Sequence, residues 1–72
     1  MLSINLKNGT YIDIPKFEKV SVYVNGNLKV LTPENFSEFV IADSRTYVFE
    51  GSTTISINGS EILYIELNHS EK

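Results

Sequence analysis

Seventy-two residues with a net charge of -3, no cysteine and a single histidine exclude most of the ways a small domain supports itself or does chemistry. A chain this short buries only about 60% of the surface its unfolded form exposes, and neither a disulfide nor the usual metal-ligand set can be assembled to compensate. The six basic residues form no cluster beyond the short PKFEK stretch, which leaves a phosphate backbone little to hold, and no apolar run approaches the roughly 18 residues of a membrane-spanning helix.

Strand signals begin at once. LSINL alternates Leu2, Ile4 and Leu6 with Ser3 and Asn5, and YIDI follows after Asn8-Gly9. A two-residue loop here would set Ile4 against Asp13, whereas a three-residue loop, Lys7-Asn8-Gly9 with Gly9 left-handed, pairs Ile4 with Ile12 and Leu2 with Ile14. The second register uses the pattern and is the one expected. The same parity argument at Asn25-Gly26 predicts another odd-length loop, with Val22 opposite Leu28 and Val20 opposite Val30.

LTPENFSEFV departs from alternation. Thr32 suits an N-cap, Pro33 the first helical position, Glu34 the positive end of the helix dipole, and Phe36, Phe39 and Val40 recur at helical spacing. A short helix from about 33 to 38 followed by a strand is expected, the rival being a strand entered through a turn. ADSR supplies a turn near residue 43, after which TYVFE and TTISI read as strands. EILYIEL, apolar on both faces and partnered by TTISI, reads as a central strand or barrel wall. The third Asn-Gly, Asn58-Gly59, reads as one more turn that needs its glycine, with its register open. The sum is one all-β domain over residues 1–72, a small antiparallel hairpin meander with one short helix near 33–38. It closes as a barrel or a two-layer sandwich and ends in a disordered tail over 68–72.

Catalytic apparatus is sparse. The one histidine, His69, lies in the polar tail, where a solvated bystander is the plain reading. Asp13, Asp43, Glu50 and Glu66 fall beside turns or at outward strand positions, and no phosphate loop, zinc spacing, EF-hand or dinucleotide fingerprint occurs. The expectation is a non-enzymatic chain with no catalytic residue, cofactor or metal. Tyr11, Tyr23, Tyr47, Phe49 and Tyr64 are the candidate protein interface, because tyrosine joins a large apolar body to a hydrogen-bonding tip. The competing reading places these rings in a second small core. Partners are then another protein or a second copy of the chain. The charge argues against nucleic acid, and nothing in the sequence calls for a membrane. Lys outnumbers Arg five to one, and Ile and Asn are abundant, a bias that fits a phage or mobile-element accessory protein. Such a protein would act in the cytoplasm as an inhibitor of a host protein, or serve as a virion component. An assembly subunit and a single-stranded nucleic-acid binder are the alternatives.

Overall fold

A computed structural model describes residues 1–68 as seven strands and two 3₁₀ helices. The strands are β1 (Leu2–Leu6), β2 (Tyr11–Ile14), β3 (Lys19–Val24), β4 (Asn27–Leu31), β5 (Thr46–Glu50), β6 (Thr54–Asn58) and β7 (Ile62–Leu67). The 3₁₀ helices span Pro33–Glu38 and Gly59–Glu61. Two antiparallel sheets, ordered β2-β1-β7 and β4-β3-β5-β6, form a sandwich-like pair. Of the two expected closures the sandwich is therefore the one observed. The order is not a simple meander, because β5 lies beside β3 and β7 returns beside β1. Of the expected tail, residues 69–72 and with them His69 lie outside the described residues, while the Asn68 N–H donates to the Met1 carbonyl at 2.9 Å.

The first hairpin has the expected register, Leu2 opposite Ile14 and Ile4 opposite Ile12. Gly9, at φ +94, takes the left-handed position, Gly9 N–H donates to Leu6 O at 3.1 Å and Leu6 N–H to Thr10 O at 2.9 Å. Leu2, Ile4 and Ile14 are thereby delivered to the core, all fully buried. The second hairpin overturns the expectation. Asn25 and Gly26 both have positive φ, 53° and 82°, the signature of a two-residue type I′ loop. Tyr23 consequently pairs with Leu28, Ser21 with Val30, Val22 with Lys29 and Val20 with Leu31. The slip of one residue sends Leu28 and Val30 outward and buries Leu31, which caps the inner row with Val20.

Between β4 and β5 the expected helix is realised as 3₁₀ turns over Pro33–Glu38, with non-helical dihedrals at Asn35. Asn35 Oδ1 accepts from the Thr32 N–H at 2.7 Å and from the Thr32 hydroxyl at 3.3 Å, anchoring the start. Residues i and i+3 eclipse in a 3₁₀ helix, so the rings of Phe36 and Phe39 stack at 5.4 Å. From there Phe39 meets Tyr47 edge-on at 5.3 Å and Phe49 at 6.2 Å, and Phe36 meets Phe17 at 5.8 Å. No strand follows over residues 39–45. The turn expected in ADSR forms, with Arg45 N–H donating to Ala42 O at 3.2 Å.

The last strand also differs from its reading. β7 is a sheet edge beside β1, and β6 belongs to the other sheet, so the expected central strand paired with TTISI, residues 53–57, is not formed. A bulge accounts for the double-sided apolar pattern: Asn5 faces Tyr64, Leu6 faces Ile62, and Leu63 is left unpaired. The extra residue reverses the alternation and brings Ile62 to the core side with Ile65 and Leu67, so no second cover is needed. The third Asn-Gly is not a hairpin loop. Asn58 Oδ1 accepts from Ser60 N–H at 2.9 Å and caps the short 3₁₀ turn that carries the chain between sheets. Gly59 is required there by space, since a Cβ would collide with the Ala42 carbonyl.

Candidate functional site

Strand alternation determines which candidate rings can meet a partner. Tyr47 and Phe49 project from β5 opposite Val22 and Val20 and are 0% exposed; their expected place in an interface is corrected, because they are the centre of the core. The bulkier pair of TYVFE turns inward and Val48 outward. The Tyr47 hydroxyl is satisfied internally, accepting from Ala42 N–H at 2.7 Å and donating to Val40 O at 3.1 Å. A buried phenol so paired costs nothing in unmet hydrogen bonds and pins residues 40–42 over the end of the sandwich.

Tyr11, Tyr23 and Tyr64 are 65%, 67% and 48% exposed. They do not converge on one surface. Tyr11 and Tyr64 flank Asn5 on the outer face of the three-stranded sheet, a cross-strand row running Tyr11, Asn5, Tyr64. The next row on the same face is Asp13, Ser3, Glu66, where the Ser3 hydroxyl donates to Asp13 Oδ1 at 2.7 Å. At the usual strand spacing the backbones that carry the two rings stand about 10 Å apart, and the two carboxylates lie in the adjoining row. The outward strand positions of this sheet carry no Lys or Arg.

The outer face of the four-stranded sheet has a different character. Tyr23 stands opposite Leu28, and Val30, Ser21, Val48 and Ser56 form the adjoining cross-strand row. Leu28 and Val30 are 56% and 40% exposed, so an apolar patch runs from the β4 edge across β3 to β5. Sequence reasoning missed Leu28 and Val30 because it placed them in the core. The Asn-Gly dipeptide favours a two-residue I′ loop but does not decide it, since Asn8-Gly9 turns through three residues.

No concave pocket opens on the described surface. Among the described residues no three His, Cys, Asp or Glu side chains gather as metal ligands would, and no helix is long and apolar enough to cross a membrane. The chain matches no protein-family model, no curated protein and no solved structure.

Proposed function

We propose that the protein is a non-enzymatic binding module whose partner is another protein, held on the outer sheet faces. The observation that carries the reading is the Tyr11, Asn5, Tyr64 row: two exposed phenols mounted on β2 and β7, whose inner sides carry buried Ile14 and Ile62, on either side of β1 with its fully buried Leu2 and Ile4. Rings presented on so rigid a base lose little conformational freedom on binding, and tyrosine is enriched at protein interfaces for that reason and for its amphipathic shape. The adjoining Asp13 and Glu66 repel a phosphate backbone, which disfavours the single-stranded nucleic-acid alternative even though exposed rings could stack on bases. A protein partner presenting polar and cationic groups to this face is compatible with it. Composition alone extends the proposal to a phage or mobile-element accessory role in the cytoplasm or virion, the target being a host protein.

The test offers immobilised wild type, Tyr11→Ala/Tyr64→Ala and Tyr23→Ala to the same low-GC bacterial lysate. A protein retained by wild type and by Tyr23→Ala, and lost from the double variant at unchanged melting temperature, is the expected result. Equal retention by wild type and the double variant, or retention of nothing, overturns the assignment of this face. A second reading, assembly with further copies of the chain, is favoured by the state of one sheet edge.

A further inference from the structure

Each sheet ends in two edge strands, and an edge offers a row of unpaired N–H and C=O groups to any passing strand. Three of the four edges carry features that oppose such pairing. β2 is four residues long, bears Asp13 and runs into Pro15. β4 places Lys29 on the core side, opposite buried Val22, so that a strand added there would bury an ammonium group. β7 is interrupted by the bulge at Leu63 and bears Glu66. β6, Thr54–Asn58, has none of these: it is regular, and neither it nor its neighbours Ser52 and Thr53 include a charged residue or a proline.

We infer that β6 is the assembly edge and that its occupant is β6 of a second copy, paired antiparallel about a two-fold axis through Ser56. This deepens the self-association reading above and does not depend on the tyrosine faces. The choice of a second copy comes from the strand's own order, Thr-Ile-Ser-Ile-Asn, which reads polar, Ile, Ser, Ile, polar in either direction. In that register Ser56 meets its symmetry mate and Thr54 meets the partner's Asn58 on the solvent side. Ile55 meets the partner's Ile57, twice, on the core side.

Ile55 and Ile57 are half-buried and pack against the core where they face Phe49 and Tyr47 across β5. The symmetric register extends that core without a gap, and it joins two four-stranded sheets into one of eight strands. β-branched residues directly opposite one another are a favourable cross-strand pair, and an isologous contact of this kind closes as a dimer and does not propagate. The net charge of -3 on each copy opposes association in general, so an edge free of charge is where it is least opposed.

Because the chain contains no cysteine, single cysteines report the register directly. Residues opposite one another in an antiparallel pair have Cα atoms about 4.5–5.5 Å apart, within the range a disulfide spans. Under mild oxidation Ser56→Cys is expected to form a linked dimer in high yield. Thr54→Cys and Asn58→Cys each form little alone and link efficiently when mixed, and Leu28→Cys on the opposite edge serves as the collisional baseline. Sedimentation of the unmodified protein is expected to show a species of twice 8.1 kDa that Ile57→Lys converts to monomer. Monomer alone up to millimolar concentration, or linkage that is equal at positions 28, 54, 56 and 58, overturns the inference. Neither result bears on the Tyr11 and Tyr64 face, whose test is retention of a different protein. If Ile57→Lys fails to fold, the cysteine series still decides the question.

Discussion

Two hairpins in this molecule turn on the same dipeptide and come out with opposite parity. At Asn8-Gly9 only the glycine is left-handed and the loop has three residues; at Asn25-Gly26 both residues are left-handed and the loop has two. In the first, Asn8 Oδ1 accepts from the Thr10 N–H at 3.0 Å and from its hydroxyl at 2.7 Å, so the asparagine acts as a hydrogen-bond acceptor within the loop. In the second, the asparagine itself supplies a left-handed backbone, which it tolerates better than most residues. The consequence reaches the surface: the first hairpin faces its aliphatic residues inward, whereas the second leaves Leu28 and Val30 in solvent and keeps Leu31 inside. An Asn-Gly pair therefore announces a reversal without determining which strand face the core receives.

The contrast can be broken most severely at the buried end of β4. Leu31→Ala should destabilise by about 2–4 kcal/mol as a core truncation, while Leu28→Ala should stay within about 0.5 kcal/mol as a surface change. Thermal or urea unfolding of the pair reads the register without further structural work, since an odd-length loop would exchange the two results. Next in size, Gly9→Val and Gly26→Val should each cost more than about 1 kcal/mol, or some 4–8 °C per kcal/mol for a domain of this size. Beyond the adjoining residues no atom lies within 4 Å of a Cβ at either glycine, so the loss is chiefly backbone strain. Unchanged melting in both would refute both loop assignments.

A finer comparison separates the two asparagines. Asn8→Gly should lose about 1 kcal/mol, the typical worth of the hydrogen bonds it accepts from Thr10, whereas Asn25→Gly should be close to neutral because glycine accepts φ 53° without penalty. Equal losses would mean that the asparagines do the same work. The smallest effect sits where β4 gives way to the 3₁₀ turns. The Thr32 hydroxyl, whose proton is shared with the long 3.3 Å contact to Asn35 Oδ1, followed by Glu34's own backbone N–H, holds the exposed Glu34 carboxyl below its ordinary value of 4.5. A lowered carboxyl pKa contributes stability above the unfolded-state value and loses it as pH falls through the folded one. Thr32→Val should move the Glu34 titration, followed by NMR, upward toward the ordinary value, with little change in melting at neutral pH.

Alternation in LSINL and YIDI made the first hairpin legible down to its register, because Leu2, Ile4, Ile12 and Ile14 have a single parity that puts all four on one side. The capped start at Thr32-Pro33 made the 33–38 segment legible, though not its 3₁₀ character, which stacks Phe36 on Phe39 over the core. The exposed rings Tyr11 and Tyr23 followed from strand parity as well, whereas Tyr64 did not, because ILYIEL is apolar on both faces and the bulge decides which of its residues stand outward. Tyr47 and Phe49 did not, since in TYVFE either face could be the inner one, and the choice rests on which residues of β3 and of the 3₁₀ segment they meet. Leu28 and Val30 were hidden by the opposite error: they look like core, and they lie outward because Leu31 and the I′ loop outweigh them. The edge strand β6 was invisible as an edge until the partner of β7 proved to be β1.

Local chemistry along the chain determined that this protein is built from antiparallel strands, where most of them begin and end, and that Tyr11 and Tyr23 stand on their outer sides. Each of those properties depends on neighbours a few residues apart, through alternation, turn geometry and capping. Tertiary structure alone decided which face of the second hairpin and of β5 is buried, how a bulge folds a double-sided strand into a single-sided one, and which strand is left open. Those outcomes depend on contacts between residues distant in sequence, where a one-residue slip changes every partner at once and only the assembled core selects among the registers.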